Sequence, residues 1–325
     1  MISNIVSVII LLVLVVLFGW LTWRAWHSKR RVLKWIGVVL SGTLTLLFTA
    51  VTVVALVGFY RMNLPPYRYG VSDVKVAMTP EQIARGQSLA YLCTDCHSST
   101  GSFPLDGSKD NYVAGGPPMG VIYASNLTPG GPLKDWTDGE ILRAMREGVD
   151  KNGRPLMIMP SVALHNLGDT DAQALVAFLR SQPAVRRDLP HRNLNALTAI
   201  FVGIGMFPTS AQTPITQAVN APAPGTAAYG NYLVSSLGCH DCHGQNLTGS
   251  SGGFLPPAPN IAAIVPYWSE ADFLKVFRQG LDPSGREIPP KSMPWKSFGA
   301  ALTDNELTDI YNYIHSLPAG VTTTQ

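Results

Sequence analysis

The four cysteines of the chain fall into two identical spacings, each of which ends in a histidine. The C-x-x-C-H pattern is the attachment signature of c-type haem. Two cysteines three positions apart at the start of a helix can reach the two vinyl groups of one porphyrin, and the adjacent histidine can bind the iron. The sequence therefore predicts two covalently bound haem c groups. The residues that hold them are Cys93, Cys96 and His97 in the first motif and Cys239, Cys242 and His243 in the second.

Two other chemistries use a C-x-x-C pair. A thioredoxin-like redox pair needs a βαβ setting, and strand signals are nearly absent from this sequence. A structural zinc site needs four ligands, commonly from two such pairs, and here the two pairs lie far apart along the chain. Because each pair is followed by a histidine and the pattern occurs twice, haem attachment is favoured over both.

The sixth iron ligand decides what a haem does, and each motif is followed by a methionine that precedes a proline. Met159 and Met293 both lie a few residues after a Gly-Arg pair. A methionine opposite the histidine gives an electron-transfer haem of raised potential. A lone methionine is more often a core residue, but recurrence at the same place favours ligation by both. Met157 stays open as the competing ligand of the first haem, and His165 as a more distant one.

A bound haem also needs partners for its propionates and for its proximal histidine. Arg154 and Arg286 recur at equivalent positions and are predicted to pair with propionates, the alternative being solvated arginines. The carbonyls that accept from the two proximal histidines are expected near Pro117 or Pro118 and near Pro259.

These residues belong to a duplicated unit. Residues 136–148 align without gaps with residues 268–280. Each copy reads as a helix, the cysteine motif, a Gly/Pro-rich loop, an amphipathic helix, a Met-Pro loop and a final helix. A unit of this size has a thin core, so a large prosthetic group that fills it is expected. The predicted all-α domains are residues 79–185 and residues 225–320, with residues 186–224 as the linker.

The linker contains an apolar stretch, residues 196–207, that is too short to span a bilayer. Three places are open to it: the protein core, a partner protein or the membrane surface. An interfacial helix usually has a basic flank, which this stretch lacks. Core or partner contact is therefore favoured.

The N-terminal part of the chain is predicted to be a transmembrane hairpin, residues 1–62, with helices over about residues 4–23 and 36–60. At about 1.5 Å per residue, each is long enough for a hydrocarbon core of about 30 Å. The loop between them is basic and has no acidic residue, so the positive-inside rule places it in the cytoplasm and the rest of the chain outside. A cleaved signal would need a basic start, and Met1-Ile-Ser-Asn has none. The basic residues of the loop are Arg24, His27, Lys29, Arg30, Arg31 and Lys34.

With these residues placed, the chain from about residue 79 to residue 320 resembles class I cytochrome c domains. More narrowly, it is similar to the diheme and triheme cytochrome c subunits of membrane-bound bacterial dehydrogenases. The resemblance is carried by Asn126-Leu-Thr-Pro, Trp136-Thr-Asp-Gly-Glu, Arg146-Glu-Gly-Val, Gly153-Arg-Pro-Leu and Met159-Pro. It implies ligation by His97 with Met159 and by His243 with Met293. The N-terminal hairpin is similar to the anchor of the diheme subunit of cb-type oxidases.

Taken together, these features predict an electron-transfer subunit that is not itself an enzyme. The resemblance implies that it receives electrons from a flavo- or quinoprotein dehydrogenase and passes them to quinone or an oxidase. Its predicted place is the bacterial cell membrane, with the haems on the periplasmic face and with other subunits, lipid and a soluble redox carrier as partners. The net charge of +3 is too small and too dispersed to indicate nucleic-acid binding. The alternatives are a terminal-oxidase subunit and, less favoured, a diheme peroxidase, in which Met159 would not be a ligand.

Overall fold

The computed structural model describes residues 2–252 and 256–318, and within these ranges the chain is mainly helical. The predicted boundaries at residues 1 and 320 lie outside the described residues. Two short strands, β1 (Gly120–Val121) and β2 (Asn193–Leu194), pair antiparallel. The helices are α1 (Ile2–Trp26), α2 (Arg31–Asn63), α3 (Pro80–Ala90), α4 (Thr94–His97), α5 (Asp138–Glu147), α6 (Ser161–Leu164), α7 (Asp169–Ser181), α8 (Ala196–Gly203), α9 (Ala227–Ser236), α10 (Cys239–His243), α11 (Ile261–Ile264), α12 (Glu270–Gln279), α13 (Trp295–Ala301) and α14 (Asp304–Ser316).

Helices α1 and α2 form an antiparallel hairpin. The rings of Phe18 and Phe48 stack with their centroids 5.4 Å apart, and Thr22 Oγ1 donates to Ser41 Oγ at 2.9 Å. By length and composition, Asn4–Trp26 and Arg31–Asn63 can each cross a membrane. The two predicted helices are therefore confirmed as helices, and their passage through a bilayer stays a prediction.

The first and last helices of each repeat copy cross at close range. A Cβ built on Gly86 in α3 would overlap Ala174 O in α7, and one built on Gly230 in α9 would overlap Asp309 O in α14. The two glycines occupy equivalent places before the two cysteine motifs. Only a residue without a Cβ lets the two backbones approach this closely. The same helix crossing thus occurs in both copies.

Gly86→Ala or Gly230→Ala is expected to lower the free energy of unfolding by about 2 kcal/mol, because the added methyl group collides with a backbone carbonyl that cannot rotate away. Denaturant unfolding of the full chain measures this effect. Gly70→Ala is the control, since a Cβ there meets nothing within 4 Å. Equal stability of all three variants would show that the crossings are looser than described.

The predicted amphipathic helix of each copy has a capped start and a glycine at its end. Thr137 Oγ1 accepts from Glu140 N while the Glu140 carboxylate accepts from Thr137 N, which closes a capping box at the start of α5. The Ser269 hydroxyl caps α12 in the equivalent place. Gly148 and Gly280 end the two helices with φ of 68° and 70°, a conformation that favours glycine. These ends set the chain path into the two Met-Pro loops.

A buried polar cluster, here called the junction network, joins the two repeat copies. Arg85 donates to Asp171 at 2.8 Å and to Glu306 at 2.7 Å. Tyr232 donates to Asp171 at 2.6 Å, and Tyr229 donates to Glu306 at 3.3 Å. Both carboxylate residues are 8% exposed. The network thus consists of Arg85 and Asp171 from the first copy and Tyr229, Tyr232 and Glu306 from the second.

The junction network is expected to make the folded state less stable at alkaline pH. Burial raises the pKa of Tyr229 to about 12, with Arg85 opposing the rise and Glu306 adding to it. An unfolded tyrosine titrates near pH 10, so unfolding between about pH 10 and pH 12 releases a proton that the folded state keeps. Stability is therefore full below about pH 10 and falls as the pH rises through this window. Melting temperatures across it should fall less steeply for Tyr229→Phe than for the wild type. Tyr267→Phe is the control, because Tyr267 is exposed; equal slopes for both variants would contradict this assignment.

The apolar stretch 196–207 forms α8 and the turn after it. It packs against the C-terminal end of α2 in a hydrophobic cluster that includes Met62, Val202 and Phe207. The structure thus shows a core contact for part of the stretch, one of the two places that the sequence favours.

Candidate haem sites

The first cysteine motif lies on a 3₁₀ turn that leads directly into α4. The turn ends at Cys93, and the Thr94 hydroxyl donates to Tyr91 O at 2.7 Å. The Cys93 side chain packs against the main hydrophobic core. Tyr112 OH donates to Cys96 O at 3.1 Å, a contact that the sequence pattern gave no reason to expect. The motif is thereby held at the edge of the core.

The ring of His97 is oriented by a backbone carbonyl. Nδ1 lies 2.8 Å from Ser125 O, and burial lowers the pKa of His97. Because a carbonyl only accepts, the neutral ring carries its proton on Nδ1, which leaves the Nε2 lone pair for a metal. The expectation that the accepting carbonyl lies near Pro117 or Pro118 was wrong, because the acceptor is Ser125 O. The chain after β1 instead runs back beside the motif, as the hydrogen bonds Gly107 N to His97 O and Ser108 N to Ala124 O show.

The second motif has the same arrangement on α10. His243 is buried, its Nδ1 lies 3.0 Å from Pro259 O, and burial lowers its pKa. The predicted carbonyl near Pro259 is confirmed. Both motifs therefore present a neutral imidazole whose Nε2 is free to bind iron.

The thiols fit covalent attachment better than the other two chemistries of a C-x-x-C pair. All four cysteines are free of disulfides. Burial raises the pKa of Cys93 and of Cys239 to about 12, whereas a redox-active pair needs a lowered pKa. Among the described residues, no group of three or more His, Cys, Asp or Glu side chains could hold a metal ion, which disfavours zinc. Two thiols beside a neutral histidine are the donors that a c-type haem requires.

The two Met-Pro loops share one backbone conformation. Met159 O accepts from Ser161 N at 2.8 Å, and Met293 O accepts from Trp295 N at 2.7 Å. The prolines between them have φ of −77° in both loops and ψ of 50° and 54°. Both methionines are half-buried. Met159 is thus the structural counterpart of Met293.

Met157 lies in a different environment. Its side chain is 6% exposed and belongs to the hydrophobic cluster at the end of α2, with Met62 and Phe207. Its backbone pairs with Thr209 in an isolated bridge. These contacts favour a core role for Met157 and leave Met159 as the better candidate ligand.

The two recurrent arginines are held by aspartates in the same turn. Arg154 Nε lies 3.3 Å from the Asp150 carboxylate, and Arg286 Nε lies 3.0 Å from that of Asp282. The arginine side chains are 44% and 80% exposed, respectively. The turns orient the arginines, and their pairing with haem propionates stays a prediction.

The helix that follows each Met-Pro loop, α6 in the first copy and α13 in the second, lies close to the cysteine motif of the other copy. Ser297 in α13 donates to Asp95, inside the first motif, at 3.0 Å. A Cβ on Gly238, just before the second motif, would lie 3.7 Å from Ala163 Cβ in α6. Reading either copy by itself could not reveal this exchange. Both candidate haem sites therefore lie next to the junction between the two copies.

Comparison with known proteins finds similarity to the cytochrome c family and to subunits of two dehydrogenases. Residues 227–318 match the cytochrome c family. The chain is 30% identical over 285 residues to a nicotinate dehydrogenase subunit of Pseudomonas putida, and the match covers 76% of this chain and 22% of that protein. It is 26% identical over 263 residues to the fructose dehydrogenase cytochrome subunit of Gluconobacter japonicus, and this match covers 73% of this chain and 53% of the relative. The chain thus spans less than two thirds of the length of either relative.

Proposed function

We propose that this chain, which is similar over residues 227–318 to the cytochrome c family and over most of its length to two dehydrogenase subunits, carries electrons through two haem c groups as the membrane-anchored subunit of a bacterial dehydrogenase complex. In this proposal residues 79–185 form a second cytochrome c domain, ahead of the one that matches the family, and residues 186–224 link the two. The equivalent helix crossings, caps and Met-Pro loops of the two copies support it.

A bound haem supplies a reversible one-electron couple, and the residues of this chain hold and tune it. The cysteines tether the porphyrin. The Ser125 and Pro259 carbonyls orient the proximal rings and hold the proton on Nδ1, while burial keeps the rings neutral. The methionines raise the potential, and Arg154 and Arg286 bind propionates. The proposed sets are Cys93, Cys96, His97 and Met159 for the first haem and Cys239, Cys242, His243 and Met293 for the second.

The observation that carries the proposal is the reciprocal packing at the junction. The α13 helix of the second copy contacts the first cysteine motif through Ser297 and Asp95, and α6 of the first copy approaches the second motif. Two closed, Met-ligated haems in this arrangement can exchange electrons inside one chain. A substrate-binding reaction site is not needed for such a role.

The anchor and the partners follow from the same proposal. The α1–α2 hairpin crosses the cytoplasmic membrane with its basic loop inside, so both haem domains face the periplasm. The proposed donor is the catalytic subunit of a dehydrogenase, and the similarity to subunits of two dehydrogenases supports this. An oxidase or a soluble redox carrier accepts the electrons. The hairpin makes the diheme subunit of a terminal oxidase the second candidate.

Gentle detergent purification of the tagged, full-length chain from its host tests this function. We expect two haems per chain, a co-purifying catalytic dehydrogenase subunit, and reduction of both haems by the substrate of that enzyme. Co-purification of an oxidase core would favour the second candidate. Carbon monoxide binding or peroxide turnover at one haem of the native protein would contradict the electron-transfer role.

A further inference from the structure

The outer surface of α8 and the turn after it form an apolar face beside the membrane hairpin. The backbone of α8 touches that of α2: a Cβ on Gly58 would overlap Ala199 O, and a Cβ on Gly203 would overlap Val54 O. Such close contact fixes α8 firmly against the spanning helix α2. We treat α8 as part of the anchor, a step that rests on the proposed membrane anchoring.

The contacts of α8 show how deep it reaches. Its approach begins near the outer end of the hairpin, where Asn4 Nδ2 in α1 donates to Leu194 O at 2.8 Å. Its C-terminal residue, Gly203, lies against Val54 of α2. Val54 precedes Arg61, at the outer end of α2, by two turns, which correspond to about 10 Å. The turn at residues 204–206 is therefore the part of this segment nearest the bilayer interior.

Backbone groups at the ends of α8 have partners, as an apolar setting requires. The Asn195 side chain accepts from Leu197 N and Thr198 N at the start of the helix. At its end, Arg61 Nη1 donates to Val202 O at 3.3 Å and to Gly203 O at 3.4 Å. The Arg61 guanidinium thus lies at the depth of the C-terminal end of α8. Because its charge must stay hydrated near the lipid headgroups, the end of the helix is shallow and only the turn beyond it lies deeper.

The residues at the tip of the turn are apolar and open. Ile204 is 52% exposed and Met206 is 69% exposed. On α2, Val53 and Leu56 are also exposed, and they flank the level at which Gly203 lies against Val54. Apolar side chains of both elements are therefore open near the same depth. Apolar side chains that are open at the level of the lipid-facing side of a spanning helix are exposed to the same lipid acyl chains.

We propose that Ile204 and Met206 insert among the phospholipid acyl chains of the outer leaflet, so that α8 forms a third membrane contact that does not span. A depth of about 5–10 Å is usual for apolar groups at such an interface. The contact ties the linker between the two haem domains to the membrane and fixes the height of both haems above it.

Cysteine labelling of the full-length holoprotein tests this contact. Haem attachment consumes all four native thiols, so Met206→Cys or Ile204→Cys introduces a unique site for a nitroxide label. In phosphatidylethanolamine and phosphatidylglycerol vesicles, collisions of the label with oxygen and with a water-soluble nickel chelate are compared. Leu46→Cys, exposed in the middle of α2, and Lys275→Cys, on the second haem domain, are the lipid and water references. Labels at positions 204 and 206 are expected to collide more often with oxygen than with the nickel chelate, as the Leu46→Cys label does.

The references separate the two proposals. If the tip labels respond to nickel as the Lys275→Cys label does while the Leu46→Cys label stays in lipid, the insertion is wrong and the anchor stands. If the tip labels are shielded from both reagents, protein covers the turn, and the insertion is wrong as well. A Leu46→Cys label in water would overturn the anchor and the insertion together.

Discussion

Replacing Met293 by histidine is expected to lower the reduction potential of the second haem by on the order of 0.1 V or more, within the roughly 0.8 V that axial ligands span. The soft thioether favours ferrous iron, and imidazole removes that preference. Spectroelectrochemical titration of the full-length protein should show one of two waves displaced and the other in place. Met293→Ala should also lower the potential of this haem.

The first copy supplies the matched controls. Met159→His should displace the other wave, because Met159 has the same loop conformation as Met293. Met157→Leu conserves volume in the cluster at the end of α2 and should leave both waves unchanged. A first wave that moves with Met157→Leu and not with Met159→His would reverse the ligand assignment. An unchanged second wave in Met293→His would rule Met293 out.

Patterns that act over a few residues could be predicted from the sequence. The caps at Thr137 and Ser269 follow from helix-start signals. The equivalence of the Met-Pro loops follows from the repeat. The Ser125 carbonyl could not be predicted, because every residue has such an acceptor and only the path of the loop selects one.

Contacts between distant segments could not be predicted from the sequence for a different reason. Glu306 caps α14 by accepting from Thr303 N with one carboxylate oxygen, as a residue at a helix start commonly does. Its other oxygen accepts from Arg85, 221 positions away. The apolar stretch at α8 lacked a basic flank in the sequence, and the structure supplies one through Arg61. In both cases the partner comes from another element, so local composition carries no signal for it.

The junction network leads to the largest expected change in stability. Arg85→Met should lower the free energy of unfolding by about 3–5 kcal/mol, because it leaves two buried carboxylates without their cation. Burial alone would lower the pKa of Arg85, but Asp171 and Glu306 raise it above its ordinary value, so the guanidinium stays charged at every pH at which the protein is folded. Denaturant unfolding, followed separately at the two haems, measures the loss.

The controls separate the network from a general effect of removing charge. Lys275→Met breaks an exposed pair with Asp272 and should change stability by less than about 1 kcal/mol. Arg85→Lys keeps the charge but loses the two-pronged contact, so it should restore part of the loss. Because Arg85 bonds to both copies, we expect the two haem domains of the wild type to unfold together and those of Arg85→Met to unfold separately. If Arg85→Met unfolds as Lys275→Met does, the two domains are held by apolar packing alone, and the relative position of the haems does not depend on this network.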